Sequence, residues 1–438
     1  MPQAVGGIEL YIHNLARGLL EKGYDVKIVV PAYENYDINM NDYELDGLPV
    51  IRYNGFGAEG NKLQMTGIEP NEGLSNFKKL LAREQPDIVH FSQLTNSSGV
   101  SLDHVLAAKQ SGAKVVYTNH LAEFICRRGD LKYKGIKDCD GYITASKCTA
   151  CMLQKKEMNT VAASALIVAD NIATAFTGRK NFKAQLRLAT FPGFASRWHI
   201  NKIESIVNMC DAFVSIAGWN SELMKKNNWF KKNCSTIKTG LFKATTAPEP
   251  IAVYDGKRPL KIIYMGRIVP VKGLAVLVKA ITKMDKAAVE LHVYGPQGHG
   301  AYSSHVDYCR SLADGFDNIV FHTSVDNTEV VKIISQHDLF CLPSTGIEMA
   351  PLVIQEAMAA QVPVIGSDLP AIKEWVTDGI NGFVFPAGDD KALLQKLQQL
   401  IESPLLLASI KKNVQQPVSF TEVIDNYDKL YQSFFSES

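Results

Sequence analysis

The chain of 438 residues is 46% hydrophobic and 21% charged, so its size points to two or three domains with substantial cores, and its composition excludes a disulfide-stapled module, a disordered chain, collagen and a coiled coil. Its net charge of +1 conceals an asymmetry: residues 1–246 hold 30 Lys and Arg against 23 Asp and Glu, whereas 247–438 hold 16 against 22. The longest apolar runs, such as Val161 to Ala169, fall far short of the ~18 residues that a bilayer-spanning helix needs.

The opening Met1-Pro2-Gln3-Ala4-Val5-Gly6-Gly7 has neither a charged n-region nor an apolar h-region, so no cleaved secretion signal is expected. Gly6-Gly7 reads as a glycine turn feeding a helix to about Glu21, whose N-terminus favours anions. A strand should precede such a turn in a βαβ unit; too few residues do, so the first strand is expected to be missing or the start truncated. Strands are then expected at Asp25–Val30, Pro49–Tyr53, Ile88–Phe91, Val115–Thr118, Gly141–Ala145, Ala212–Ile216 and Thr236–Thr239. Residues 121–246 carry 20 basic and 9 acidic residues, with nothing acidic between Asp170 and Glu204. Such a segment is either a solvated face or one that attracts phosphate groups or an anionic membrane surface. No nucleic-acid-binding motif accompanies it.

Ala247-Pro248-Glu249-Pro250 interrupts regular structure and marks the domain boundary. Beyond it, short apolar runs at Leu260–Met265, Leu291–Tyr294, Ile319–His322, Leu339–Pro343, Pro363–Gly366 and Phe383–Phe385 alternate with helical segments, the signature of a parallel doubly wound sheet. The domains are therefore expected at 1–246 and 247–417. Residues 418–438 form a helix that packs back on the first domain.

Two motifs carry chemistry. After Leu260–Met265 comes Gly266-Arg267-Ile268-Val269-Pro270-Val271-Lys272-Gly273, which places two cations on a glycine-bounded loop where they can converge on a diphosphate. After Leu339–Pro343 comes Ser344-Thr345-Gly346-Ile347-Glu348-Met349-Ala350-Pro351, leading into a helix that holds Glu356. Pro351 suits a first helical position, leaving the amides near Ala350, Leu352 and Val353 as anion donors. Carboxylates at Glu348 and Glu356 can accept hydrogen bonds from sugar hydroxyls.

These residues, with Pro86-Asp87-Ile88-Val89-His90, Thr118-Asn119-His120 and Pro363-Val364-Ile365, resemble the retaining family 4 glycosyltransferases of the GT-B fold (glycosyl transferases group 1) over nearly the whole chain. The resemblance implies an α/β fold of two Rossmann-like doubly wound domains facing each other across a cleft. It implies a hexosyltransferase that moves a sugar from a nucleotide diphosphate sugar to a glycan or lipid-linked acceptor in polysaccharide or glycoconjugate biosynthesis, with retention. Arg267 and Lys272 would bind the donor diphosphate together with Gly7, Ala350, Leu352 and Val353; Glu356 would bind the ribose, and His120 and Glu348 the donor sugar near the reaction centre. The scheme requires no metal, and no DxD-like motif is placed to hold one. Gln361 stands where the family usually has glycine.

A GT-B nucleotide-sugar epimerase and a non-catalytic nucleotide-sugar-binding protein remain as alternatives. Cys126, Cys139, Cys148 and Cys151 read either as free thiols of a reducing compartment or as ligands of a structural zinc. Between Arg179 and Lys202 cations interleave with Phe182, Leu186, Phe191, Phe194 and Trp198, a mixture that suits either a core strip or a cytoplasmic protein lying peripherally on an anionic leaflet.

Overall fold

The computed structural model describes residues 7–32, 43–55, 73–92, 100–135, 137–154, 192–242, 253–296 and 303–436, with residues 161, 165, 166, 168, 169 and 172. Two compact units are present, Met1–Lys238 with Val423–Ser438, and Thr239–Glu422. The division falls at Lys238–Thr239; the Ala247–Pro250 stretch lies outside the described residues.

In the first unit the strands β1 (Ile28–Ala32), β2 (Tyr43–Leu45) and β3 (Leu48–Asn54) form one sheet, in which β1 and β3 run parallel. The β2–β3 hairpin turns at Asp46-Gly47, both at positive φ (49° and 81°), as a two-residue Asp-Gly loop requires. Next come β4 (Ile88–Phe91), β5 (Lys114–Asn119), the short antiparallel pair β6 (Lys132–Tyr133) and β7 (Lys137–Asp138), β8 (Ala212–Ser215) and β9 (Cys234–Thr236). Strands β4-β5-β8-β9 make a second, wholly parallel sheet. Its core gathers Val115, Tyr117 and Phe213 from the strands with Val105, Ile203 and Ile206 from the covering helices Leu102–Gln110 and Pro192–Met209.

In a doubly wound sheet of order 3-2-1-4-5-6 the first strand lies at the centre and joins the two halves. Among the described residues no strand precedes the helix Gly7–Glu21, and β1 and β4 are not paired. One expected strand is absent: Gly141–Ala145 forms a turn at Gly141 (φ 81°), with the Tyr142 amide donating to Asp140 at 2.9 Å, and a helix begins at Ala145.

The second unit is a six-stranded parallel sheet made of β10 (Leu260–Met265), β11 (Val289–Tyr294), β12 (Ile319–His322), β13 (Leu339–Leu342), β14 (Val364–Ser367) and β15 (Gly382–Phe385), in the order β12-β11-β10-β13-β14-β15. Its central strands are apolar on both faces, as helices on either side demand. Along β10, Leu260, Ile262 and Tyr264 enter one core while Ile263 and Met265 enter the other; along β13, Leu339 and Cys341 alternate in the same way with Phe340 and Leu342. Each such side chain contributes about 1.5–3 kcal/mol by burial, so the ends of β10 and β13 are firmly fixed.

The helix Leu352–Ala359 ends in a left-handed cap. Gln361 has φ 57°, its amide donates to Met358 O (3.0 Å), and the Val362 amide donates to Ala357 O (2.9 Å). This pair of hydrogen bonds closes the helix in a Schellman arrangement, whose left-handed position favours glycine. A glutamine there bears a steric cost of about 1–2 kcal/mol. Gln361→Gly should therefore raise the stability of this unit by about 1 kcal/mol, read as a higher urea midpoint at unchanged slope. A lower midpoint would show that the Gln361 Nε2 bond to Met358 O (2.9 Å) outweighs the strain.

Candidate active site

The sheet order of the second unit reverses between β10 and β13: strands added after β10 lie on one side, and β13, β14 and β15 on the other. Ligands of open α/β sheets bind outside the carboxyl ends of the strands at such a reversal. The two loops that flank this point are those carrying the sequence motifs, Gly266–Gly273 after β10 and Ser344–Pro351 after β13.

Backbone geometry presses the loops together. The Thr345 and Gly346 amides both donate to Val271 O, at 2.9 and 3.1 Å. Gly273 sits at φ 71°, and a Cβ there would stand 1.8 Å from the carbonyl oxygen of Pro343, so no other residue fits. Tyr264, buried on β10, donates its hydroxyl to Arg267 O at 2.8 Å and pins the start of the loop.

Side chains then meet across the two loops. Lys272 Nζ lies 2.7 and 2.8 Å from the two oxygens of Glu348, and the buried Ser344 hydroxyl donates to Glu348 Oε1 at 2.6 Å. Glu348 is itself buried, and its charge adds to burial in pushing the Tyr264 hydroxyl above its ordinary value. Arg267 is exposed and has no side-chain partner among the described residues. One cation is thus held and oriented, and the other is without a side-chain partner among the described residues. Ser344 was not singled out from the sequence; its position directly after β13, four residues before Glu348, is the signal that marks it.

Pro351 proves to be the residue before the helix rather than its first member, with φ −70° and ψ 106°. Leu352 and Val353 open the helix, so their amides are among those a helix leaves without internal acceptors; Ala350 lies just ahead on the loop. Glu356, one turn in, is half-buried with no cation beside it among the described residues, and burial pushes its carboxyl up to about 7.

The remaining expected site residues lie in the first unit. Gly7 opens the helix Gly7–Glu21 and is exposed; Gly6 lies outside the described residues. His120 follows β5 directly and is buried, edge-on to the Tyr11 ring with centroids 4.7 Å apart. Its Nε2 finds no hydrogen-bond partner among the described residues, and burial followed by the proximity of His90 holds the imidazole down at about 3, hence neutral. A polar chain runs beside it: Tyr11 to Tyr427 (3.1 Å), Tyr427 to Thr118 (2.8 Å), Thr118 to His90 (2.7 Å) and His90 to Tyr431 (2.7 Å).

Cys126, Cys139, Cys148 and Cys151 all occur as free thiols around the β6–β7 hairpin and the helix Ala145–Gln154. Burial raises the Cys148 thiol to about 11, with the three other cysteines adding to the effect. Lys134 donates its amide to Cys151 Sγ at 3.0 Å. The zinc expectation is not supported: among the described residues no three His, Cys, Asp or Glu side chains are gathered so as to hold a metal ion. No helix among the described residues is long and apolar enough to cross a membrane. Residues 179–191 of the basic segment lie outside them.

The family described as "Glycosyl transferases group 1" matches residues 253–416, and that described as "Glycosyltransferase Family 4" matches residues 5–160. The phosphatidyl-myo-inositol mannosyltransferase of Mycobacterium leprae is 29% identical over 227 residues, which cover 50% of this chain and 56% of that protein. The amylovoran biosynthesis glycosyltransferase of Erwinia amylovora is 24% identical over 188 residues, 40% of this chain and 46% of that protein. The chain thus matches about half the length of these relatives. Among solved structures, sucrose-phosphate synthase of Thermosynechococcus elongatus superposes with a TM-score of 0.64 at 16% identity, covering 99% of this chain and 95% of that one. HepE of Anabaena, in complex with UDP-glucose, gives 0.60 at 14% identity, covering 98% and 97%. At such identities the structural likeness establishes the fold alone, which is GT-B. With the two family models between them matching more than half of its length, the chain belongs to the family 4 (group 1) glycosyltransferases.

Proposed function

We propose that this protein is a retaining hexosyltransferase that transfers a sugar from a nucleotide diphosphate donor to a glycan or lipid-linked acceptor in polysaccharide or glycoconjugate assembly. The observation that carries the reading is the Lys272–Glu348 pair, with Arg267 on the same loop as Lys272, at the sheet reversal between β10 and β13. The UDP-glucose bound by the Anabaena neighbour makes a uridine diphosphate sugar the first donor to test.

The arrangement suggests a division of labour. Arg267, Lys272 and the amides of Ala350, Leu352 and Val353 take the diphosphate, and Gly7 at its own helix terminus offers a further amide. Glu356 takes the ribose, and Glu348, held by Ser344, takes the sugar once the diphosphate claims Lys272. His120, neutral and with an unsatisfied Nε2, accepts or donates one hydrogen bond to the sugar. The acceptor hydroxyl attacks the anomeric carbon from the face the diphosphate leaves. The C–O bond to the acceptor forms, the C–O bond to phosphate breaks, and the hydroxyl proton passes to a phosphate oxygen. Charge grows on the departing diphosphate, so the two cations bind the transition state more strongly than the ground state.

The test is turnover of a panel of nucleotide sugars with and without acceptor glycans, with and without EDTA, and proton NMR of the product's anomeric configuration. Acceptor-dependent release of nucleoside diphosphate, an unchanged anomeric configuration and indifference to chelation are expected. Free altered sugar without acceptor would identify an epimerase, and tight donor binding without turnover a non-catalytic binder.

A further inference from the structure

Where the segment after β5 meets the helix Pro192–Met209, Arg127 and Lys202 have no carboxylate partner among the described residues. Ser196, His199 and Lys202 recur at three-residue intervals and so line one side of that helix. Arg127 Nη1 donates to the buried Ser196 hydroxyl at 3.1 Å, and His199 Nε2 lies 3.1 Å from Ile125 O, fixing the ring. Arg127 and Lys202 both lie within electrostatic range of His199.

Burial works against all three groups. It lowers the pKa of Arg127 and of Lys202, and it holds His199 down at about 4, the nearby Lys202 and Arg127 pushing the same way. Among the described residues no carboxylate pairs with Arg127 or Lys202. The sequence from 171 to 203 holds no Asp or Glu. Desolvated cations without a counter-charge are costly, and such a cost is met when an anion occupies the site.

We propose that Arg127 and Lys202, with Ser196, form an anion site for a phosphate group, monoester or diester, on the acceptor. The assignment rests on the glycosyl-transfer reading only in naming the acceptor as the carrier. Arg127 and Lys202 supply charge-assisted bonds, while the neutral His199, whose Nε2–H donates to Ile125 O, keeps Nδ1 as an acceptor only and so makes no hydrogen bond to a phosphate oxygen.

The experiment titrates the full chain with inorganic phosphate by calorimetry at constant ionic strength, in the presence of excess UDP, and compares Lys202→Met, Lys202→Arg and Arg127→Gln. Saturable binding is expected in the wild type and in Lys202→Arg, and binding about tenfold or more weaker in Lys202→Met and Arg127→Gln, with UDP affinity unchanged. Lys202→Met should unfold no earlier than the wild type in phosphate-free buffer, since it removes an unpaired charge. Equal phosphate affinity in wild type and Lys202→Met, or marked destabilisation of Lys202→Met without phosphate, overturns the site. Failure of the wild type to bind UDP instead strikes at the glycosyl-transfer reading and leaves the phosphate comparison standing. Co-flotation with phosphatidylglycerol vesicles but not phosphatidylcholine vesicles, lost in Lys202→Met, assigns the phosphate to a lipid headgroup; phosphate binding without co-flotation assigns it to a soluble acceptor.

Discussion

Lys272→Ala is expected to lower kcat/KM for the nucleotide sugar about 10- to 150-fold with the fold intact. A charge-assisted hydrogen bond is worth about 1.5–3 kcal/mol, which sets that range when it is made to the reacting group. Lys272 comes from a 3-10 turn held between Val269 and Gly273, and its ammonium is aimed by both oxygens of Glu348. Truncation leaves Glu348 with its Ser344 bond, so the carboxylate is not stranded. Arg267→Ala should fall in the same range for a simpler reason. The side chain is exposed and unpaired among the described residues, so its loss touches the donor and little else. Because the charge on the leaving diphosphate grows along the reaction, kcat should fall along with kcat/KM in both variants. Wild-type kinetics in both would remove the donor site from this pair of loops; matching thermal unfolding curves would show that the loss is chemical rather than structural.

Much of this site was legible because it sits on short-range punctuation. Gly266, Gly273 and Pro351 bound loops at strand ends, and the central strands are apolar runs that can lie only in a parallel sheet covered on both faces. What the sequence hid was pairing between distant segments. Nothing local to Ser344 states that its hydroxyl will hold Glu348, and nothing local to Gly273 states that a Pro343 carbonyl will stand where its Cβ would be. The first unit was harder to read. Its apolar run at Gly141–Ala145 has strand-like composition but is cut by a left-handed glycine, whereas the Asp46-Gly47 turn is a local hairpin signal that joins β2 to β3. The cysteine spacing resembled a metal knuckle, yet a knuckle needs convergent thiols, a three-dimensional property that spacing along the chain does not fix. Gln361 shows the reverse case: a departure from the family's glycine becomes intelligible once its φ of 57° is known.

Donor affinity should rise about tenfold between pH 6 and pH 8, and Glu356→Gln should abolish that rise. Burial alone lifts the Glu356 carboxyl to about 7, with no neighbouring cation to oppose it among the described residues. In the free protein the group is therefore mostly protonated at pH 6 and mostly ionised at pH 8, and a site competent only in its ionised form binds in proportion to that fraction. A carboxylate accepts from both hydroxyls of a ribose, whereas the acid gives up one of those acceptors to its own proton. The sign for stability is opposite. A carboxyl raised from its ordinary value near 4.5 favours folding most at low pH, and that contribution is lost as pH rises from about 4.5 through about 7. The unliganded protein should thus lose stability over the window in which donor affinity begins to grow. A nucleotide sugar is the right probe, because its diphosphate is a diester that does not titrate between pH 6 and 8. Calorimetry at pH 6.5 in buffers of different ionisation enthalpy should register about three-quarters of a proton released per donor bound by the wild type and none by Glu356→Gln. Equal proton release by both would take Glu356 out of the donor site and leave its raised pKa a consequence of packing.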